Sequence, residues 1–460
     1  MKLNRIMIAA PKSGSGKTTI TCALLQALKD AGKSVVSYKC GPDYIDPMFH
    51  RKVIDIPAKN LDTFFSGEEE TKRLFLKNRT EADFVVIEGV MGLYDGLGGV
   101  REEGSSYHLA KVTGTPIILV VDAKGMGRSV IPLIAGFLAY DKEHLIQGVI
   151  LNRMSGSCYE TIRPLAEEEL GICVLGYFSE NRKLHIESRH LGLMMPSELD
   201  DIKAQIQMAS GELQKNVSIE RIAQIAENAG ELECHASNLS EVDYFREGEA
   251  LVIAVAKDEA FCFYYEDNLT LLQDYGAEIV YFSPLHDQKI PKNCQGILLG
   301  GGYPELYLEK LSRNESMKES IRKAISDHMP VIAECGGFMY LHKEITDAKG
   351  ITYEMVGALD GSCVYTGKLV RFGYIELNER RSNFLPEGTK IRGHEFHYFD
   401  SNCNGEDVVA KKPVTGREYA CVIDRENCWL GFPHLYYPSN PEFVRNYVGK
   451  AYEYMRRKRG

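Results

Sequence analysis

Cys335 stands at the end of an apolar run, Pro330-Val-Ile-Ala-Glu334, and is followed at once by Gly336 and Gly337. A buried strand, a sharp turn and a helix beginning at Phe338 make the frame of a nucleophile elbow, which lifts a side chain to the top of a sheet. The N–H groups at the start of that helix point at the sulfur and favour thiolate. A thiol nucleophile needs a proton acceptor within reach. His434, in Gly431-Phe-Pro-His-Leu-Tyr-Tyr437, is the candidate. Gly300-Gly-Gly302 follows another short apolar run. Backbone N–H groups of Gly301, Gly302 and Gly336 are the candidates for an oxyanion hole.

A second chemistry is written near the N-terminus. Pro11-Lys-Ser-Gly-Ser-Gly-Lys-Thr-Thr19 follows a strand-like run and opens a helix. That is the context of a phosphate loop, in which small residues let N–H groups close around phosphate oxygens. The nucleotide-binding candidates are Lys12, Ser13, Gly14, Ser15, Gly16, Lys17, Thr18 and Thr19. Lys17 reaches toward the β/γ-phosphates and the Thr18 hydroxyl toward Mg²⁺, with ATP as co-substrate. The apolar run Phe84-Val-Val-Ile ends in the carboxylate of Glu88, the place of a metal-binding carboxylate. Gly41-Pro-Asp43-Tyr-Ile-Asp46 follows another strand. Asp43 and Asp46 either serve Mg²⁺ and the acceptor or are turn residues, since Gly-Pro-Asp is a good turn former. Lys39, just before, is either a phosphate ligand or a surface lysine. The metal candidates are Thr18, Asp43 and Glu88.

Elements must hold these groups in place. In the first half, Arg5–Ala10, Val35–Tyr38, Phe84–Ile87, Pro116–Val121 and Gly148–Leu151 read as short buried strands. Ile20, Ala23, Leu24, Ala27 and Leu28 form a helical stripe between the first two. The alternation predicts a doubly wound α/β domain of P-loop type. Strand-like runs resume at Leu251–Ala256, Glu278–Phe282, Gly296–Leu299 and Pro330–Ala333, predicting a second α/β domain. The expected division is 1–195, a polar extension and linker over 196–249 with one helix near Ile219–Ala229, and 250–460.

Composition narrows the class. The chain has 460 residues, 44% hydrophobic and 26% charged, with a net charge of −10. An acidic balance argues against a nucleic-acid partner, which wants a basic face. The 12 cysteines include no C-x-x-C pair, which points to reduced thiols in the cytoplasm. Lys12 ends the first apolar run too early for a signal peptide. The longest apolar stretch, Val130–Tyr140, falls short of the ~18 residues of a membrane span, so no membrane association is expected. In Arg392-Gly-His394-Glu395-Phe-His397-Tyr398 the histidines are three apart, which breaks the H-E-x-x-H zinc pattern. The role of His394, Glu395 and His397 stays open, as does a homodimer.

Taken together these motifs resemble a known family. The loop resembles that of the superfamily containing dethiobiotin synthetase, partition ATPases and the nitrogenase iron protein. The second half resembles the class I glutamine amidotransferases of the cobyrinate type. The resemblance is carried by SGSGKTT (13–19), KCGPDYID (39–46), IEGVMGLYDG (87–96), SRHLGL (188–193), DEAFCFYYEDN (258–268), FSPLHD (282–287), LGGGYPELY (299–307), AECGGFMYL (333–341), RFGY (371–374) and RGHEFHY (392–398). It implies ATP-dependent, glutamine-using amidation of the a- and c-acetate carboxylates of cobyrinate through acyl phosphates, in cobalamin biosynthesis. A sibling family amidates Ni-sirohydrochlorin at the same positions. A partition-type ATPase switch is the alternative of another class, and the Cys335 half argues against it. Many class I amidotransferases carry a glutamate two residues after the histidine. Here that position is Tyr436, so the resemblance implies a Cys335–His434 dyad.

Overall fold

The computed structural model of the chain describes residues 3–77, 82–181, 184, 196–232 and 250–459. It divides into two compact units, Met1–Ser237 and Asn238–Gly460.

Unit 1 is built on a seven-stranded parallel sheet in the order β3-β2-β4-β1-β5-β6-β7. The strands are β1 (Arg5–Ala9), β2 (Val35–Cys40), β3 (Ala58–Leu61), β4 (Phe84–Glu88), β5 (Ile117–Asp122), β6 (Ile146–Asn152) and β7 (Cys173–Phe178). Every residue of β1, β2 and β4 is buried, as in strands covered on both faces. Helix α1 (Lys17–Asp30) starts at the loop glycine, Gly16, and buries the expected Ile20, Ala23, Leu24, Ala27 and Leu28. It also buries Thr21, Cys22 and Leu25. The reason lies in the segment read from sequence as a polar extension. Residues 196–216 and 219–227 form two helices whose Ile206, Ala209, Leu213, Ile222 and Ala226 share one core with α1 and the sheet. They belong to unit 1. Most of the expected linker, and the SRHLGL run, lie outside the described residues.

Unit 2 contains a six-stranded sheet ordered β10-β8-β11-β13-β23-β22. Its strands are β8 (Leu251–Ala256), β10 (Ala277–Phe282), β11 (Gly296–Leu299), β13 (Val331–Glu334), β22 (Ile423–Arg425) and β23 (Cys428–Gly431); only β22 runs antiparallel to its neighbour. A small ribbon pairs β9 (Phe261–Phe263) with β12 (Gly301–Gly302). Between β13 and β22, with one strand added after β23, the chain builds two further sheets that the sequence reading did not anticipate. One is β15-β14-β16-β19, from β14 (His342–Thr346), β15 (Thr352–Glu354), β16 (Leu359–Tyr365) and β19 (Phe399–Ser401). The other is antiparallel, β21-β20-β17-β18-β24, from β17 (Arg371–Glu379), β18 (Lys390–His397), β20 (Val408–Lys411), β21 (Glu418–Cys421) and β24 (His434–Leu435). Only Phe432 and Pro433 separate β23 from β24, so the chain passes from the first sheet to the antiparallel one at His434. Among the described residues no helix is long and apolar enough to cross a membrane.

Candidate active sites

The phosphate loop joins β1 to α1. Gly14 and Gly16 have φ of 75° and 92°, in the left-handed region that glycine alone enters without strain. A Cβ on Gly16 would stand 2.2 Å from Asn152 Nδ2. The loop is braced from β6: Asn152 Nδ2 donates to Ser15 O at 2.7 Å, and Arg153 Nη2 to Gly14 O at 3.0 Å. Arg153 is itself held by Asp122 at 2.9 Å. Sequence reasoning missed this brace, because Asn152 and Arg153 belong to no motif. Thr19, Asn152, Arg153 and the turn after β7 line a cleft of about 450 Å³ beside the loop. Lys12, Ser13 and Gly14 are exposed and Ser15, Lys17 and Thr19 buried. Lys17 Nζ donates to Met91 O at 2.5 Å, and Met91 has a strained φ of 49°.

The strand ends bring the expected carboxylates to the same place. Thr18 Oγ1 donates to Glu88 Oε1 at 2.6 Å. Lys39 is buried, not a surface lysine: its ammonium lies 2.5 Å from Asp46 and 2.8 Å from Glu88. His50, unnoticed in the sequence, lies 3.5 Å from Glu88 Oε2. Asp43 does turn work, its Oδ1 accepting from the N–H groups of Ile45 and Asp46 at 2.8 and 3.1 Å. Burial works against Lys39, but Asp46 and Glu88 hold its ammonium well above the ordinary value. Burial and the charge of Asp46 push Glu88 up to about 7. Burial, then Lys39, lower Lys17 to about 8. Asp46 Oδ1 and Glu88 Oε2 are buried without a hydrogen-bond partner. Oxygen donors with unspent lone pairs suit a hard cation such as Mg²⁺. Among the described residues no group of three or more His, Cys, Asp or Glu gathers as a metal cage. Mg²⁺ held through one or two side chains plus nucleotide phosphates needs none.

At the thiol, Cys335 has φ 46° and ψ −103°, a strained elbow between β13 and a helix that begins at Gly336, two residues before the expected start. Register brings in the histidine. Glu334 pairs with Gly431 across β13–β23, and His434 follows three residues on. A Cβ on Gly301 would stand 2.3 Å from His434 Cε1, and one on Gly336 3.4 Å from Gly302 N. Gly301 thus lies against His434, and Gly336, next to Cys335 in the chain, lies against Gly302. Two nearby N–H groups are already used: Cys335 N–H donates to Gly431 O and Gly337 N–H to Gly300 O, both at 2.9 Å.

The expected thiolate is corrected. Burial, with Glu305 beside it, pushes the Cys335 thiol well up, and the Gly336 N–H is too little to offset this. Burial, then His397, lower His434 to about 3. The substrate-free pair is a neutral thiol and a neutral imidazole. His394 stacks on His434, ring centroids 4.9 Å apart, and takes a contact of 3.1 Å from the Tyr265 hydroxyl. Glu395 is buried among Arg371 at 3.4 Å, Lys412 at 3.8 Å and the Tyr419 hydroxyl, while His397 stacks on Phe432. The RGHEFHY run thus forms the wall behind His434.

This arrangement predicts that Gly301→Ala lowers glutamine-dependent turnover by about 10²-fold by displacing the imidazole, the cost of roughly an ångström of misplacement. Steady-state assay with glutamine and with ammonia checks this; equal losses with both nitrogen sources would count against it.

A phosphate-loop unit followed by an amidotransferase-like unit with a thiol at its elbow defines the class of two-part glutamine amidotransferases. Residues 6–193 match the family described as CobQ/CobB/MinD/ParA nucleotide binding domain, and 252–437 the CobB/CobQ-like glutamine amidotransferase domain. The chain is 38% identical over 455 residues to a cobyrinate a,c-diamide synthase of Caldanaerobacter subterraneus subsp. tengcongensis, covering 98% of this chain and 99% of that one. It is 38% identical to the proteins of that name from Dehalococcoides mccartyi (97% and 98% covered) and Picrophilus torridus (98% and 100%). The chain belongs to the cobyrinate a,c-diamide synthase family.

Proposed function

We propose that the chain converts the a- and c-acetate carboxylates of cobyrinate to amides, using ATP and glutamine, in cobalamin biosynthesis. The observation that carries this reading is the match to relatives of that name along nearly the whole of both chains. In support, both halves of such a reaction have a site: a braced phosphate loop and an elbow thiol beside a histidine. The reading places the enzyme in the cytoplasm.

A carboxylate is a poor electrophile, and transfer of the ATP γ-phosphoryl group to its oxygen supplies a leaving group. Lys17 and the loop N–H groups hold the phosphates in line. Thr18 and Glu88, with the unspent Oδ1 of Asp46 and the second oxygen of Asp43, are the residues that would hold Mg²⁺. When bound, Mg²⁺ neutralises charge on the β- and γ-phosphate oxygens. Lys39 sets the charge of Asp46 and Glu88 beneath them. In the other unit His434 takes the Cys335 proton, the thiolate attacks the glutamine carboxamide, and ammonia leaves with a proton returned by the imidazolium. Water then frees glutamate from the thioester. Ammonia attacks the acyl phosphate and expels phosphate, once at each of the two carboxylates.

Glu88→Gln is expected to raise the Mg²⁺ concentration needed for half-maximal rate and to slow amidation with either nitrogen source by roughly 10–100-fold. An unchanged Mg²⁺ titration would contradict the assignment. The substrate is tested by mass spectrometry of products formed with ATP and glutamine from cobyrinate and from Ni-sirohydrochlorin. Two successive amidations of cobyrinate are expected. Conversion of the nickel tetrapyrrole alone would overturn the substrate, and ATP hydrolysis indifferent to any carboxylate would overturn the amidoligase reading.

A further inference from the structure

The imidazole of His434 has a carboxyl neighbour that the dyad reading leaves out. Tyr436 occupies the position two residues after the histidine, but its side chain points elsewhere. Its hydroxyl donates to Asp267 at 3.2 Å and its ring packs edge-on against Tyr265 at 5.3 Å. Beside His434 Nδ1 stands Glu334, the residue immediately before the thiol, with Oε2 at 3.9 Å. Its other oxygen accepts from the Tyr437 hydroxyl at 3.1 Å. Glu334 is buried at the end of β13, and the β13–β23 register fixes it opposite Gly431, three residues before His434. The other carboxylate behind His434 is already committed: Glu395 lies among Arg371, Lys412 and Tyr419.

We propose that Glu334 is the positioning residue for His434. From a resting separation of 3.9 Å, its ionised carboxylate closes in the glutamine complex to accept a hydrogen bond from Nδ1–H, which leaves the Nε2 lone pair to take the Cys335 proton and steadies the imidazolium that results. One sequence pair, Glu334-Cys335, thus supplies both the nucleophile and the group that orients its base. This rests on the reading of Cys335 and His434 as the glutaminase pair.

The protonation state gives the proposal a signature. A protonated Glu334 would donate to Nδ1, forcing the proton onto Nε2, the tautomer that cannot act as base. Burial pushes Glu334 up to about 8, against the pull of the Tyr437 hydroxyl. Facing it are the Tyr437 and Tyr264 hydroxyls, the Cys335 thiol and His434, with His394, His397 and Glu395 behind the histidine. Burial holds both tyrosines and the Cys335 thiol well above their ordinary values and His434 and His394 below theirs; it pushes Glu305, beside Cys335, up to about 7, so Glu334 titrates above it, at about 8. Glutaminase kcat/KM is therefore expected to rise with pH as Glu334 ionises.

The test is a pH profile of glutamine hydrolysis by the full chain and three variants. Glu334→Gln is expected to lose roughly 10²-fold in kcat with little change in KM for glutamine, and to lose the rising limb near pH 8. Tyr437→Phe leaves the carboxyl in place but removes the hydroxyl that lowers its pKa, so the limb moves to higher pH. Cys335→Ser should be inactive. Wild-type turnover in Glu334→Gln, or a limb that stays put in both Glu334→Gln and Tyr437→Phe, overturns the role of Glu334. Activity retained in Cys335→Ser overturns the glutaminase reading beneath it.

Discussion

Cys335→Ser is expected to lower glutamine-dependent amidation by roughly 10³-fold or more while ammonia-dependent amidation stays at the unaltered rate. The thiol is needed only to free nitrogen from glutamine; a hydroxyl of similar size in a neutral, buried setting is a far weaker nucleophile. The elbow itself should survive, since its strain lies in the backbone at φ 46° and serine is no bulkier than cysteine. An electrophilic glutamine analogue should label Cys335 and none of the other cysteines. Its resting thiol is neutral, so reactivity arises from His434 once a glutamine-like ligand is bound. Parallel loss with glutamine and ammonia in a folded variant, or labelling elsewhere, would mean that the two sites are not divided as proposed.

Lys17→Ala should fail with both nitrogen sources, by roughly 10²–10³-fold, the cost of one preorganised donor to developing charge. Both routes need the acyl phosphate. The Lys17 ammonium rests on Met91 O, 2.5 Å away, and has burial and Lys39 against it, which lower it to about 8. Nucleotide phosphates supply the negative charge that restores it to the fully charged form. Near-normal ammonia-dependent activity in this variant would remove the phosphate loop from the reaction.

The pattern of what could be read in the chain follows from range. The phosphate loop is contiguous, and its glycines are demanded by local φ values, so sequence alone locates it. The same holds for the elbow at Cys335. β3, Ala-Lys-Asn-Leu, has no β-branched residue and only four positions, so nothing local marks it as a strand. The helix over 196–216 carried its signal in Ile202, Ile206, Ala209 and Leu213, spaced three or four apart, and polar composition masked that periodicity. The brace of Asn152 and Arg153 on the loop, the contact of His50 with Glu88 and the approach of Glu334 to His434 all depend on strand register between distant segments. No spacing in the sequence encodes them. The Cys335 shift runs against the sequence expectation for a related reason: the short helix contributes one N–H, whereas the burial that outweighs it comes from the surrounding tertiary packing.

The central claim is that nitrogen freed from glutamine at one site meets a carboxylate phosphorylated at the other. It is tested by supplying cobyrinate with ¹⁸O-labelled carboxylates, amide-¹⁵N glutamine and ATP, and following both isotopes. The account predicts ¹⁵N in each new amide and one ¹⁸O in inorganic phosphate for every amide formed. Amide formation with no ¹⁸O reaching phosphate would contradict it.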